Sequence, residues 1–257
     1  MNVMFVLRHR IACAAAVIAA LMPAIGTATI VEIETNLGTF EVNLYDNDTP
    51  ATVENFLEYV QNGDYNQSVM HRSIGGFIIQ GGAVTTDGNA NLSAIPERPT
   101  VQNEPVFANV RGTIAMAKLP SGPNSATSQW FINLADNTAN LDNQNGGFTV
   151  FGEVTGNGMN VADAINAVPT FNNVSGLNDF PLQNYTAPDP VLNDNLIIVT
   201  SISVTDTTVN SAAGLNPPLT TRGSGGGGGG GGGYLGWFSL AALLALCRRR
   251  YRVGKVA

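Results

Sequence analysis

A permanently charged hydrogen-bond donor and several apolar rings are grouped in short segments of the sequence. Arg72, Phe77 and Gln80 lie in one segment, and Gln129 and Phe131 lie in a second. An arginine guanidinium stays protonated and donates through several N–H groups, whereas phenylalanine offers only apolar surface. This set suits electrostatic stabilisation of a polar atom inside an apolar groove, a chemistry that requires neither a nucleophile nor a general base.

Residues for several other catalytic chemistries are missing from the central part of the sequence. Cys13 and Cys247 are the two cysteines, so residues 29–221 offer no thiolate nucleophile, disulfide or cysteine metal ligand. His71 is the single histidine in this range, and we expect it to be structural. No metal ion or other cofactor is predicted.

Three segments with a specific order and spacing carry a family resemblance. They read MHRSIGGFIIQGG over residues 70–82, GTIAMA over 112–117 with GPNSATSQWFI over 122–132, and LD at 141–142 with FTVFGEV over 148–154. Together they resemble the cyclophilin family of peptidyl-prolyl isomerases, and most closely its exported bacterial branch. The resemblance extends over about residues 29–206 and implies isomerisation of the peptide bond that precedes proline.

The chemistry of this reaction explains why such residues are needed. Rotation about an X–Pro amide passes through a twisted state with a barrier of roughly 18–20 kcal/mol, and the prolyl nitrogen gains a lone pair there. Arg72 can donate to that nitrogen, while Phe77 and Phe131 provide an apolar floor. Gln80 can orient Arg72 or hold the substrate carbonyl. A rate gain of about 10⁵ requires about 7 kcal/mol of preference for the twisted state.

The resemblance implies a groove built from ten positions. The predicted catalytic residues are Arg72, Phe77 and Gln80, and the predicted substrate-binding residues are Ile78, Ala117, Lys118, Gln129, Phe131, Leu141 and Phe148. Main-chain groups of Ala117 and Lys118 match those that hydrogen-bond a bound peptide in the family.

Five positions depart from the usual pattern of the family. Ile78 stands where many members have Met, a mild apolar exchange. Lys118 replaces a common Asn and is expected to add a positive charge at the rim of the groove. Asn140 stands where animal members carry Trp, so we expect a looser groove wall and poor binding of cyclosporin. Phe148 replaces a common His, and Trp130 replaces a Phe that points into the core.

The spacing of apolar residues predicts a mainly β fold. Residues 29–44 form two alternating segments around a turn and predict a hairpin. A helix is predicted from Pro50, with Thr49 as N-cap, and a second helix over 160–167. Residues 196–204 predict a final strand that pairs with the first. The pattern predicts a closed antiparallel barrel, and the resemblance implies eight strands capped by two helices.

The N-terminal residues 1–28 have the features of a secretory signal peptide. Arg8 and Arg10 form a basic start, residues 11–22 are apolar, and small residues at Gly26 and Ala28 suit a cleavage site. An uncleaved N-terminal anchor is the alternative interpretation. The isomerase-like domain is therefore predicted over residues 29–206.

The C-terminal residues predict a disordered linker followed by a membrane-targeting segment. Residues 207–233 end in an unbroken glycine run, which favours a flexible linker. Residues 234–257 combine a short apolar helix with an arginine cluster. This order resembles the GlyGly-type sorting signals of Gram-negative bacteria, and a plain tail anchor is the alternative. Both predict contact with the inner membrane before processing.

The net charge of the central part of the sequence limits the partners and the location that we expect for the protein. Residues 29–221 carry four basic and 19 acidic side chains, a net charge of −15, which disfavours nucleic acid. The predicted partners are proline-containing polypeptides, and the predicted state is a monomer. We expect an exported protein in the periplasm or at the cell surface of a Gram-negative bacterium.

Two other functions stay open: a catalytically weak module for binding proline peptides or for surface display, and a structural component of a cell-surface assembly.

Overall fold

The structure, a computed structural model, describes residues 29–207 and 215–221 of the chain. The predicted signal peptide, the glycine run and the segment over 234–257 lie outside these residues, and so does most of the predicted linker. Within the described part, no helix is long and apolar enough to cross a membrane.

Short strands dominate the described chain and helices are few. In chain order the elements are β1 (Ile30–Thr35), β2 (Gly38–Leu44), α1 (Pro50–Gln61), β3 (Ser68–Val69), β4 (Arg72–Ile74), β5 (Ile78–Gly81), β6 (Val84–Thr86), β7 (Leu92–Ala94), β8 (Thr113–Met116), β9 (Trp130–Asn133), α2 (Thr138–Leu141), β10 (Val150–Val154), α3 (Met159–Asn166), β11 (Thr170–Phe171), β12 (Phe180–Pro181) and β13 (Ile198–Asp206). The predicted hairpin, both predicted helices and the final strand are present.

Eleven of the described strands form one sheet in the order β4-β5-β9-β8-β10-β2-β1-β13-β3-β6-β7, and β11 pairs with β12 separately. The mainly β class is confirmed, as is the pairing of the last strand with the first. Eight strands were expected, but β3, β6 and β7 have only two or three residues, too few to show an alternating pattern. The hydrogen-bonded order begins at β4 and ends at β7. The described sheet is therefore a curled half-barrel, and closure into an eight-stranded barrel is not confirmed.

The start of helix α1 is stabilised by a residue far away in the sequence. Thr49 occupies the N-cap position as predicted, but its hydroxyl donates to the Tyr45 carbonyl and makes no cap hydrogen bond. The N–H groups of Ala51 and Thr52 donate to the Glu104 carboxylate at 3.3 and 2.9 Å. A carboxylate at this end also interacts favourably with the helix dipole.

The sheet separates two apolar clusters. Along β9, Trp130 and Ile132 face the main core, whereas Phe131 faces the opposite side. Strand β5 alternates in the same way, since Ile79 belongs to the main core and Ile78 to the second cluster. Trp130 is fully buried, which confirms its predicted core position. The second cluster contains the predicted floor of the groove.

A short C-terminal segment, residues 215–221, lies along the domain beside Val106–Ala108. The Ala108 N–H donates to the Pro218 carbonyl at 2.8 Å, and the Thr220 N–H donates to the Val106 carbonyl at 3.0 Å. Leu215 packs against the second cluster. A disordered linker was expected over 207–233, but these seven residues contact the folded domain.

We predict that Gly82→Ala destabilises the protein much more than Gly88→Ala. Both glycines have a positive φ, +80° and +83°, which costs an L-residue about 1–2 kcal/mol. A Cβ atom on Gly82 would lie 2.5 Å from the Ser128 carbonyl oxygen, whereas none of the described atoms lies within 4 Å of one on Gly88. Overpacking should add roughly 1–3 kcal/mol at Gly82. Denaturant unfolding measures the free energy of unfolding of both variants. Equal losses of this free energy would contradict the close approach of Gly82 to the Ser128 carbonyl.

Candidate active site

Arg72, Gln80 and Phe131 lie side by side on three neighbouring strands. In the register of the sheet, Arg72 of β4 is opposite Gln80 of β5, and Gln80 is opposite Phe131 of β9. The row continues to Ala115 of β8. Residues directly opposite on antiparallel strands have Cβ atoms about 4.5–5.5 Å apart and point to the same face. The predicted donor, amide and aromatic ring therefore meet on one face of the sheet.

A chain of polar side chains holds the predicted catalytic arginine. Arg72 Nη1 donates to Gln80 Oε1 at 3.5 Å, and Gln80 Nε2 donates to Gln129 Oε1 at 2.9 Å. Gln80 is 2% exposed, so its amide has little freedom to turn. Of the two roles predicted for Gln80, this geometry favours the orientation of Arg72.

The Arg72 side chain is only 11% exposed. Burial lowers the pKa of Arg72 from its ordinary value, while the charge of Asp179 acts in the opposite direction. Arginine remains protonated in proteins even so. Arg72 therefore presents a positive charge in a site where few water molecules compete for its N–H groups.

The apolar part of the site is one continuous cluster. Ile78, Phe131, Leu141 and Phe148 are buried in it, and Phe77 packs at its edge. The rings of Phe131 and Phe148 meet edge to face, with centroids 5.9 Å apart and an interplanar angle of 71°. The cluster therefore forms the apolar surface that the sequence predicts as the floor of the groove.

Asn140 lies at the border of this apolar surface. It is exposed on helix α2, and the next residue along the chain, Leu141, is buried in the cluster. Asn140 offers no apolar ring there, in keeping with the expected loose wall.

Lys118 does not place a charge at the rim as predicted. Its side chain is 1% exposed, and Nζ donates to the carbonyls of Asn145, at 2.8 Å, and Gly147. Nζ also lies 4.7 Å from the centroid of the Phe148 ring. The ammonium group turns inward because a turn with positive φ at Asn145, Gly146 and Gly147 presents carbonyl oxygens to it. Lys118 thereby fixes the loop that precedes Phe148.

One main-chain group of Ala117 already makes a hydrogen bond within the protein. Its N–H donates to the Gln129 carbonyl at 2.9 Å. Of the two main-chain groups of Ala117, the carbonyl oxygen is therefore the one left for the predicted hydrogen bond to a bound peptide. Ala117 and Gln129 also border a cavity of about 400 Å³, enclosed largely by residues 117–119 and 121–125.

A buried polar network behind the groove was not predicted from the sequence. Asn137 Nδ2 donates to the Phe77 carbonyl at 2.9 Å and to Asn133 Oδ1 at 2.7 Å. Asn109 Nδ2 donates to Asp142 Oδ1 at 2.9 Å and to the Phe148 carbonyl at 3.2 Å. Asparagine is typical of loops and turns, so residue type gave no signal for this supporting role.

His71 is buried beside the polar chain, with 3% of its surface exposed. Its neighbour Arg72 carries the catalytic charge in the prediction, while His71 was predicted to be structural. Within the described residues, no group of three or more His, Cys, Asp or Glu side chains is placed to hold a metal ion.

Comparison with known proteins assigns the chain to a family. Residues 30–187 match the sequence model for "Cyclophilin type peptidyl-prolyl cis-trans isomerase/CLD". A peptidyl-prolyl cis-trans isomerase of Acinetobacter baylyi is 46% identical over 143 residues, which are 55% of this chain and 74% of the relative. Peptidyl-prolyl cis-trans isomerase B of Escherichia coli is 39% identical over 145 residues, 55% of this chain and 86% of the relative.

Solved structures agree with the sequence comparisons. A cyclophilin-type peptidyl-prolyl cis-trans isomerase of Cryptosporidium parvum superposes with a TM-score of 0.52 and 25% identity, covering 70% of this chain and 99% of that one. The same protein has also been solved in the presence of the dipeptide Ala-Pro. The chain belongs to the cyclophilin-type peptidyl-prolyl isomerase family. It is a peptidyl-prolyl cis-trans isomerase.

We predict that His71 makes the stability of the protein fall in mild acid. Burial, reinforced by the charge of Arg72, lowers the pKa of His71 to about 4, whereas an unfolded histidine titrates near 6.5. Between these values the unfolded state binds more protons, so stability is complete above about pH 6.5 and falls as the pH approaches 4. The expected loss is about 3 kcal/mol.

The measurement compares unfolding free energies from pH 7 to pH 4 for the wild type and His71→Gln. Carboxylates titrate in both proteins, so the difference between the two pH curves isolates His71. Curves of identical shape would contradict a neutral buried imidazole.

Proposed function

We propose that the enzyme accelerates X–Pro isomerisation through a hydrogen bond from Arg72 to the prolyl nitrogen in the twisted state. The observation that carries this proposal is the row Arg72–Gln80–Phe131, which sets a buried cation beside an apolar ring. The planar amide nitrogen is a poor acceptor, and it gains a lone pair only as the bond twists. The interaction is therefore stronger in the transition state than in the ground state, as catalysis requires.

The apolar cluster supports the rest of this mechanism. A proline ring seated on Phe131, Leu141 and Phe148 would be fixed while the residue before it rotates. The Ala117 carbonyl can accept a hydrogen bond from the main chain of the peptide. Because no covalent bond breaks, orientation and one charge-assisted hydrogen bond in a dry groove are the terms that lower the barrier.

The proposed substrates are proline-containing segments of exported proteins. Three sequence features support this: the signal-peptide pattern over 1–28, the acidic surface of residues 29–221, and the C-terminal pattern over 225–257. Uncatalysed prolyl isomerisation takes tens to hundreds of seconds and limits the folding of many chains. An exported isomerase would remove that delay for proteins that fold outside the cytoplasm.

We predict that Arg72→Ala lowers kcat/KM for a prolyl peptide by about 10²-fold, the usual cost of removing one donor to a transition-state charge. The matched control is Arg111→Ala, because Arg111 is an arginine on the surface that pairs with Asp163. The control should keep the wild-type rate. An isomerisation assay on the purified protein measures all three, and equal rates for Arg72→Ala and the wild type would remove Arg72 from the mechanism.

The same assay distinguishes the enzyme from a binding module. A protein that binds the prolyl peptide but adds nothing to its exchange rate would be the display or binding module that exposed Asn140 leaves open.

We predict that the mature protein begins near Thr29 and lacks the arginine cluster at residues 248–252. A signal peptidase would cut after the small residues that end at Ala28, and an intramembrane protease would cut between the glycine run and the apolar segment. Intact-mass spectrometry of protein purified from the producing bacterium measures both ends. Recovery of the complete arginine-rich tail would rule out cleavage of a sorting signal and favour a retained anchor.

A further inference from the structure

Asp179 contacts the catalytic arginine of the proposed mechanism from a loop far along the chain. One oxygen of its carboxylate lies 3.6 Å from Arg72 Nε. The Nε atom is buried and makes no hydrogen bond to the described residues, so its contact with Asp179 is an ion pair, and Gln80 accepts from a different atom of the same guanidinium, Nη1. Two neighbours therefore contact the planar group at two of its three nitrogen atoms. A planar group held at two points has a defined orientation.

The main chain holds Asp179 firmly in this position. The Ser73 N–H, one residue after Arg72, donates to the Asp179 carbonyl at 2.8 Å. The Asp179 N–H donates to Asn172 Oδ1 at 2.9 Å, and φ at Asp179 is +52°. The next residue, Phe180, is fully buried and belongs to the small sheet of β11 and β12. The loop that presents the Asp179 carboxylate to Arg72 is thus held by hydrogen bonds of the main chain at residue 179, in addition to the ion pair.

We propose that Asp179 is a positioning residue for Arg72, an inference that rests on the proposed role of Arg72. Contact at Nε orients the guanidinium so that its Nη groups face the groove, while Gln80 fixes the second point. An arginine side chain has about 2 kcal/mol of rotamer entropy to lose, so an arginine that is already held reaches the twisted amide at lower cost. In this proposal Asp179 acts through Arg72 and not on the substrate.

From the position of Asp179 we predict that removing its charge lowers kcat and changes KM little. The carboxylate is 35% exposed, so water screens the pair and weakens its contribution to folding. The hydrogen bond to Ser73 uses the main chain of residue 179 and survives a change of side chain. Asp179→Asn should therefore fold normally, with a looser arginine.

The experiment measures kcat and KM of the full chain with a prolyl peptide for Asp179→Asn and for the control Asp189→Asn. Asp189 is an exposed carboxylate in the segment that follows β12, so its variant makes the same charge change at another position. We expect kcat to fall about 5- to 10-fold in Asp179→Asn with KM within about twofold, and no change in the control. Equal kcat in the two variants, or a loss in KM alone, would overturn the proposal.

A double-mutant cycle separates this inference from the mechanism on which it rests. In an Arg72→Lys background, which has no Nε–H to position, Asp179→Asn should cause no further loss. If Arg72→Ala, which removes the charged donor, keeps the wild-type kcat, the proposed role of Arg72 fails. If Arg72→Ala is slow but Asp179→Asn is as fast as the wild type, only the role of Asp179 fails.

Discussion

The antiparallel register of β4, β5, β9 and β8 is the constraint on which the site depends. Because side chains alternate across a sheet, this register sends Gln80 and Phe131 to the groove and Ile79 and Ile132 to the main core. A slip of one residue in β5 would exchange the two sets, burying an amide in the core and placing an isoleucine beside Arg72. The approach of Gly82 to the Ser128 carbonyl leaves no room for a side chain at the end of this pairing. Core packing and active-site geometry are therefore set by the same hydrogen bonds.

The same arrangement explains how a buried cation is tolerated. Removing a guanidinium from water is costly unless neighbours replace its hydration. Gln80 and Asp179 supply part of that replacement, and neither occupies all of the N–H groups. In the proposed mechanism, what remains is a charged donor whose orientation is fixed before the substrate arrives. Preorganised donors of this kind favour a transition state because little rearrangement is needed when charge develops.

Sequence patterns predicted the parts of the fold that follow from local rules. The hairpin of β1 and β2, helix α1 after Pro50 and the last strand follow from apolar spacing and from the fixed φ of proline. The motifs also singled out Arg72, Gln80 and Phe131 as groove residues, and the register of the sheet places them side by side. Contacts between distant segments were beyond such rules. The inward turn of Lys118, the Glu104 carboxylate at the start of α1 and the Asp179 contact each join residues separated by 27 to 107 positions. Residue type alone predicted a rim charge and a hydroxyl cap.

The most direct test of the central claim measures binding and rotation separately. Exchange NMR on a prolyl peptide at saturating concentration reports its cis–trans rate on the enzyme, and a titration reports its Kd. Arg72→Gln keeps a hydrogen-bond donor at this position but removes the charge. If Arg72 acts on the twisted amide, the Kd should change by less than about fivefold, while the bound-state exchange rate should fall by roughly tenfold or more. An unchanged exchange rate, with all of the loss in Kd, would show that Arg72 binds the peptide without catalysing its rotation.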